Sequence, residues 1–381
     1  MKHKDMTKPR VAIDLLWLRP GGVGGTEFFV RNLLDGFLSL PDDFKFVLLL
    51  SKDNESTFEH YLSDPRFEKI VANIQSKNIG KRIIWQFFCQ NHFLRKHGIK
   101  YCFEPVYVRP LFNGGIEYLS VIHDIQVYHY PQYHPFYENW YTKLCWHADK
   151  WFSKHIVASS NYVKDELVHL YHIREDKVST IYIPVIVDLK QGCEWETIQN
   201  KYQVQKNGYY YTISQAIPHK NLETIIKALF ELKQESNNEE IKLLISGISG
   251  NASASIDKLI HEYHLQQNVT LTGFISNEEK ITLLQNCKLF LFPSVFEGFG
   301  IPPIEAMMCG AQVITTKCTC IPEVTQGKAI YVNDPYDVQE WAKIITSTGI
   351  DPRQEIEFYQ YDKSVIARQY LDTIKHTFQI K

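Results

Sequence analysis

The sequence predicts an α/β protein of two Rossmann-like, doubly wound domains facing a central cleft. Three observations predict it. Short apolar runs of strand length alternate with helical patterns from end to end. The alternation falls into two series, separated by a polar stretch at residues 188 to 207 that lacks periodicity and reads as a linker. A chain of 381 residues is also too long for one ordinary core. The expected boundaries are 1–187 and 188–361, with a tail at about 362–381 that packs back on the first domain.

In the first series, "RVAIDLLWL", "FKFVLLLS", "EYLSVIHD" and "KHIVASS" read as buried parallel strands. The start of the chain is basic and then apolar, as in a signal peptide. Its apolar stretch is short, contains Asp14 and lacks a small-residue cleavage site, so it reads as a first buried strand. The first helix follows: Thr26 can cap it, and Val30, Leu33, Leu34, Phe37 and Leu38 recur at helical spacing. In the second series, "YYYTIS", "IKLLIS", "NVTLTG", "KLFLFPS" and "AQVITT" read as strands. Helices are expected to begin near Asn221, Ala252, Asn277 and Pro303.

Composition narrows the function classes. A net charge of −2 gives no global pointer to nucleic acid, and no apolar run is long enough to span a membrane as a helix. Eight cysteines are scattered, with Cys318 and Cys320 forming C-x-C and no second pair at zinc-like spacing. They read as free thiols in a reducing cytoplasm.

Ligands of doubly wound sheets bind beyond the carboxyl ends of the strands, so the loops after strands carry the candidates. "RPGGVGGTE" at 19 to 27 places four glycines between a strand and a helix. It lacks the last glycine of a dinucleotide fingerprint and reads as a mobile glycine loop or a tight turn. "VIHDIQVYHYPQYH" ends a strand with His123 and Asp124, and His is the side chain best suited to share protons near neutral pH. His129 and His134 tempt a metal reading, which the intervening proline and aromatics disfavour. A purely structural His123 stays open. "SQAIPHKNLET" puts Lys220 ahead of a helix start, where its ammonium would neutralise a phosphate.

"PSVFEGFGIPPIEAMMCG" follows an apolar strand. Gly298 and Gly300 leave bare amides at a helix mouth that Pro302 and Pro303 preset. Glu297 in the loop and Glu305 in the first turn can then face one pocket and accept hydrogen bonds from hydroxyls. The alternative is that both merely complement the helix dipole. Residues 77 to 100 carry six Lys/Arg and no acid, interleaved with Ile83, Ile84, Phe87, Phe88, Phe93 and Leu94. They read as a sheet-covering helix with basic ends, or as a basic amphipathic helix in weak contact with an anionic membrane.

On these residues the chain resembles a family 4 (group 1) retaining glycosyltransferase of GT-B fold, over nearly its whole length. "EGFGIPPIE" is similar to the family's E-x7-E motif, "PHKNLETIIKAL" to its phosphate loop, "IHD" to its strand-end histidine and "GGVGGTE" to its first glycine loop. "AIYVNDPYDVQEWAKII" resembles the segment closing the second domain.

The resemblance implies an acceptor-side first domain and a second domain that binds a nucleotide-diphosphate sugar. Glu297 would hold donor-sugar hydroxyls, and the Gly298-Phe299-Gly300 amides the sugar and phosphate. Glu305 would hold the ribose, Lys220 the departing diphosphate, and Gly24 and Gly25 would close over the donor. His123, with Asp124 beside it, would contact the transferred sugar or the acceptor. "LTGFIS", with Gly273 and Phe274, would contact the base.

Gln215 and His219 stand where many relatives carry arginine, so the diphosphate relies more on Lys220 and helix amides. No metal or other cofactor is expected. The implied reaction is retaining transfer of a hexose such as mannose or rhamnose to a glycan or polyprenyl-diphosphate-linked acceptor of bacterial surface polysaccharide. It would take place in the cytoplasm or at the inner face of the cell membrane, without nucleic acid. A GT-B-like sugar-nucleotide epimerase and a catalytically weak subunit of a glycan-assembly complex are the other readings.

Overall fold

The computed structural model describes residues 8–22, 24–41, 44–236, 240–247, 253–349, 353 and 355–380. The chain divides into two compact units, residues 1–184 with 359–381 and residues 185–358.

The first unit holds β1 (Arg10–Asp14), β2 (Lys45–Ser51), β3 (Phe67–Ala72), β4 (Tyr101–Glu104), β5 (Glu117–Ile122), β6 (His155–Ala158) and β7 (Val178–Thr180). They form one parallel sheet in the order β3-β2-β1-β4-β5-β6-β7. Nearly every residue of β1, β2 and β5 is buried, so the apolar residues run consecutively rather than alternating. The helices of this unit are α1 (Gly25–Ser39), α2 (Ile79–Phe88), α3 (Gln90–Lys96), α4 (Gln126–His129), α5 (Phe136–Phe152) and α6 (Asn161–His169).

The second unit holds α7 (Trp195–Tyr202), β8 (Tyr210–Ile213), α8 (Leu222–Ser236), β9 (Leu243–Ser246), α9 (Ser253–Glu262), β10 (Val269–Gly273) and α10 (Asn277–Asn286). It continues with β11 (Leu289–Phe292), α11 (Ile301–Met308), β12 (Val313–Thr316), α12 (Ile321–Val324), β13 (Ile330–Val332) and α13 (Val338–Ser347). Its strands form a parallel sheet in the order β10-β9-β8-β11-β12-β13. The last helix, α14 (Lys363–Phe378), belongs to the first unit and lies against α1. Gly36 makes that approach possible, because a Cβ there would meet the Ala367 Cβ at 2.5 Å and the Lys363 carbonyl at 2.8 Å.

Both sheets change winding direction once, between β1 and β4 in the first unit and between β8 and β11 in the second. At such a point the loops beyond the strand ends part and leave a crevice. Asp14 and Glu104 end the strands at the first, and the loops after Ile213 and Phe292 flank the second.

Several expectations need correction. Gly24, at φ 61°, is the N-cap of α1 and no side chain caps it, so Thr26 lies inside the first turn. Glu27 serves the loop instead: its carboxylate accepts from the Gly21 amide at 2.9 Å and pairs with Arg31 at 2.9 Å. The supposed linker contains α7, whose buried side is only Ile198 and Tyr202, too sparse to show a period. It is fixed to α10 by Lys201–Glu279 at 2.6 Å and by the Thr282 hydroxyl donating to the Cys193 carbonyl at 3.0 Å. Residues 77 to 100 form two helices rather than one, broken at Cys89. Ala252 lies outside the described residues, and α9 runs from Ser253.

Candidate functional site

In the second unit two strand-end loops are sewn together. After β8 the chain makes a short 3-10 turn at Pro218–Lys220 and reverses at Asn221, whose φ of 53° is left-handed. The His219 carbonyl accepts from the Val295 amide at 2.8 Å and from the Ser294 hydroxyl at 3.4 Å. The Asn221 side-chain amide donates to the carbonyls of Pro293 at 3.3 Å and Pro335 at 2.7 Å, and Thr224 holds its oxygen at 2.7 Å. Asparagine suits this position because it tolerates the left-handed conformation and brings donors and an acceptor.

This stitching sets the Lys220 ammonium 2.6 Å from the Glu297 carboxylate, both side chains being largely buried. A cation and an anion thus sit together behind the turning loop. Glu297 is held by its backbone as well: its amide donates to the Thr319 hydroxyl at 3.1 Å, and its carbonyl accepts from the Cys320 thiol at 3.2 Å. Thr319 has φ 51°, a strained conformation for a β-branched residue. Burial pushes the Cys320 thiol well above its ordinary pKa, so it stays protonated and able to donate.

Gly300 caps α11 at φ 81°, which explains the glycine: a Cβ there would meet only Glu297 and Pro303 at ordinary contact distances. Phe299 is buried under the loop. Glu305 lies one turn into α11 rather than in its first turn, since Ile301 opens the helix. Its carboxylate is buried and pairs with Lys280 of α10 at 2.6 Å, so each of the two glutamates carries its own lysine. Lys280 was not singled out in the sequence, because nothing in its local pattern points to a residue on another helix.

The other second-unit candidates are placed as follows. Gln215 is exposed, while His219 is buried with its ring edge-on to Phe296. Gly273 ends β10 at φ 70°, its carbonyl accepting from the Gly247 amide at 2.9 Å. Phe274 follows it and is exposed.

In the first unit, the His123 Nε2 lies 2.8 Å from the Pro105 carbonyl. A carbonyl can only accept, so Nε2 carries the proton and Nδ1 is left as a bare acceptor with no partner among the described residues. Burial lowers the pKa of His123, which keeps the ring neutral, and it makes a T-shaped contact with Phe29, centroids 4.7 Å apart. Asp124 accepts from the Gln126 amide at 2.9 Å. Gly24 and Gly25 are exposed with open space where a Cβ would be, so only Gly24 needs glycine for its φ. His129 pairs with Glu166 at 2.9 Å and His134 with Glu138 at 3.2 Å, which ties each to a different carboxylate.

The crevice of the first sheet is filled by the chain itself. Asp14 and Glu104 are fully buried at the ends of adjacent strands. Burial raises both carboxyls, Glu104 most, because the neighbouring Asp14 charge adds to it. The Gln86 side chain donates to Asp14 at 3.2 Å and Gln90 to Glu104 at 3.1 Å, so α2 and α3 bring two amides to the carboxyls while Trp85, Phe93 and Leu94 pack on the apolar core beside them.

Comparison with known proteins places both units. A family model described as Glycosyltransferase Family 4 matches residues 23–189, and one described as Glycosyl transferases group 1 matches residues 194–364. An O-antigen chain mannosyltransferase B of Escherichia coli is 27% identical over 61% of this chain and 64% of its own length. The O-antigen chain mannosyltransferase RfbU of Salmonella typhimurium is 28% identical over 67% of this chain and 66% of its own. The match thus spans just under two thirds of either relative. Among solved structures, a glycosyltransferase from Rickettsia africae superposes with a TM-score of 0.66 at 18% identity, over 98% of this chain and 100% of that one. Anabaena Alr3699/HepE in complex with UDP gives 0.66 at 17% identity, over 97% and 98%.

Proposed function

The chain belongs to the group 1, family 4 glycosyltransferases of GT-B fold, and from that premise we propose that it transfers a hexose from a nucleotide-diphosphate sugar to a glycan or polyprenyl-diphosphate-linked acceptor. The setting proposed is surface-polysaccharide synthesis, because the two curated relatives described above are O-antigen mannosyltransferases. Mannose is accordingly the first donor sugar to test.

The observation that carries this reading is the Lys220–Glu297 pair at 2.6 Å, held by two stitched loops at the winding-change point of the second sheet. A sugar diphosphate carries the same two chemistries as the pair: anionic oxygens that suit the ammonium and hydroxyls that suit the carboxylate. In the proposed reaction Lys220 stabilises the departing diphosphate and Glu297 holds the sugar. Glu305 accepts from ribose hydroxyls, and the bare Nδ1 of His123 accepts from a hydroxyl of the sugar or acceptor. Transfer proceeds with retention: the departing phosphate oxygen takes the proton of the incoming hydroxyl on the same face. Lys220 fills the role a divalent cation would otherwise have.

The test is a panel of nucleotide sugars with a lipid-linked acceptor. One donor should be consumed in an acceptor-dependent way and should raise the unfolding temperature of the protein. If all donors stay intact and none raises it, the reading is wrong. Consumption without acceptor would assign an epimerase instead.

A further inference from the structure

Three contacts hold His123 within the first unit. Its Nε2 donates to the Pro105 carbonyl at 2.8 Å, and its own carbonyl accepts from the Ser159 hydroxyl at 2.6 Å. Its ring makes the T-shaped contact with Phe29, centroids 4.7 Å apart. The first contact fixes the tautomer and the second the backbone. Neither decides the tilt of the ring. The terminal torsion of a histidine has no steep preference of its own, and one hydrogen bond at the far nitrogen leaves a swing that carries Nδ1 with it. The tilt is left to Phe29.

Phe29 is itself fixed from α14. It is fully buried on α1, and Tyr370 packs on it with ring centroids 5.8 Å apart. The same Tyr370 ring packs on Phe103 of β4 at 5.5 Å. Phe103 stands two residues ahead of Pro105, whose carbonyl takes the His123 proton. The contacts therefore close a circuit: His123, Phe29, Tyr370, Phe103 and, through the chain, Pro105. Phe29, Phe103 and Tyr370 are all buried, and a close-packed interior passes a displacement on rather than absorbing it. Ala367, one turn before Tyr370, is where Gly36 lets α14 press against α1. Tyr370 thus braces both things that hold the histidine ring.

We infer that Tyr370 is a positioning residue: through Phe29 on one side and β4 on the other, it sets the tilt of the His123 ring and so the direction of the bare Nδ1. The inference rests on the proposed function only for what Nδ1 accepts, a hydroxyl of the sugar or acceptor. The positioning concerns the ring alone. The part of the candidate site in the first unit is then assembled from distant stretches of sequence, α1 near the start of the chain and α14 near its end. Simple packing predicts something different, namely that every buried ring of α14 matters alike to His123. Phe378 supplies the comparison, because it is buried on the same helix and stacks on Tyr101 at 4.9 Å, outside the circuit.

The test uses the full chain with carbon-13 at Cε1 of its 15 histidines, His123 being assigned by the signal lost in His123→Gln. The parent should give one sharp His123 signal. Tyr370→Leu and Phe29→Leu keep apolar bulk but break the circuit at successive links, and each should broaden or split that signal. Two links are cut so that a failure to fold at one leaves the other. Tyr370→Phe keeps the ring and should restore the parental signal, and Phe378→Leu should leave it as it is. A His123 signal unmoved by the first two variants, or moved as far by Phe378→Leu, would overturn the inference. This readout needs no substrate, so a parent that transfers no sugar sinks the proposed function and leaves the positioning to be decided by the signal. With an active donor, Tyr370→Leu should lower kcat/KM about tenfold in the parent and add little further loss to His123→Ala. Equal losses in both backgrounds would count against the inference as well.

Discussion

The Lys280 ammonium of α10 lies 2.6 Å from the Glu305 carboxylate of α11, and both side chains are largely buried. Truncating the lysine leaves a buried carboxylate unpaired, while replacing both partners with apolar groups of similar size is far better tolerated. Lys280→Met should therefore destabilise the protein by about 2 kcal/mol, less than a fully buried pair because Lys280 retains some solvent. Adding Glu305→Met should restore most of that stability. Nucleotide binding should be lost in the double variant, which lacks Glu305. Thermal unfolding with and without nucleotide separates the two effects.

For Lys220 the expectation is kinetic. Lys220→Ala should lower the transfer rate on the order of 100-fold, with KM changed much less, because the charge it meets develops as the diphosphate departs. Glu297→Gln keeps the size and one hydrogen-bond acceptor, so it should preserve folding while weakening sugar recognition. A raised KM with kcat unchanged in Lys220→Ala would assign the lysine to ground-state binding instead.

Thr319 combines strain with a contact to Glu297. Thr319→Gly should raise stability by about 1 kcal/mol by relieving the left-handed backbone, yet lower activity by removing the hydroxyl. Thr319→Ser keeps the hydroxyl and should retain activity. If glycine and serine are equally active, the hydroxyl does not position Glu297.

A pH effect follows from Glu104, which faces Asp14, Arg109, Asp149 and Cys102. Its folded pKa is raised well above the ordinary carboxyl value, so folding favours its protonated form. The stability this gives is complete below the unfolded value near 4.5 and drains away as pH rises through the folded one. The slope in that window should approach about 1.4 kcal/mol per pH unit. Glu104→Gln keeps the shape without the proton and should flatten it. Urea unfolding across pH measures both proteins.

At Gly36 the added methyl of Gly36→Ala meets the Ala367 Cβ and the Lys363 carbonyl, and backbone cannot step aside as a flexible side chain would. The better helix propensity of alanine is worth less than that overlap. The variant should lose about 1–3 kcal/mol. Ala367→Gly in the same chain should recover part of it.

The doubly wound architecture was legible because most strands are short apolar runs buried on both faces. The four that were missed are short or lie at an edge. In β3 buried and less buried residues mix, as suits the edge of its sheet, β4 is four residues long and ends on Glu104, and β7 and β13 are edge strands of three residues each. Glu297 and Lys220 could be read as candidates because a loop after a strand is a place the sequence marks. What each touches could not, since Lys220–Glu297 and Lys280–Glu305 are made by loops and helices meeting in three dimensions. The Asp14–Glu104 pair was hidden for a related reason: only the adjacency of β1 and β4 joins them. On α2 the hydrophobic pattern was visible, but periodicity says how wide a stripe is and not which way it faces.

Residues 359–381 complete the first unit, and they reach it only after the whole second unit has been made. Tyr370 packs on Phe29 and Phe103, and Phe378 on Tyr101, so part of the first core lacks its last wall while the ribosome is still adding residues beyond 184. The second unit is contiguous and can close as soon as it emerges. In this chain the half that is born first is therefore the half that finishes last, with α14 as its closing piece.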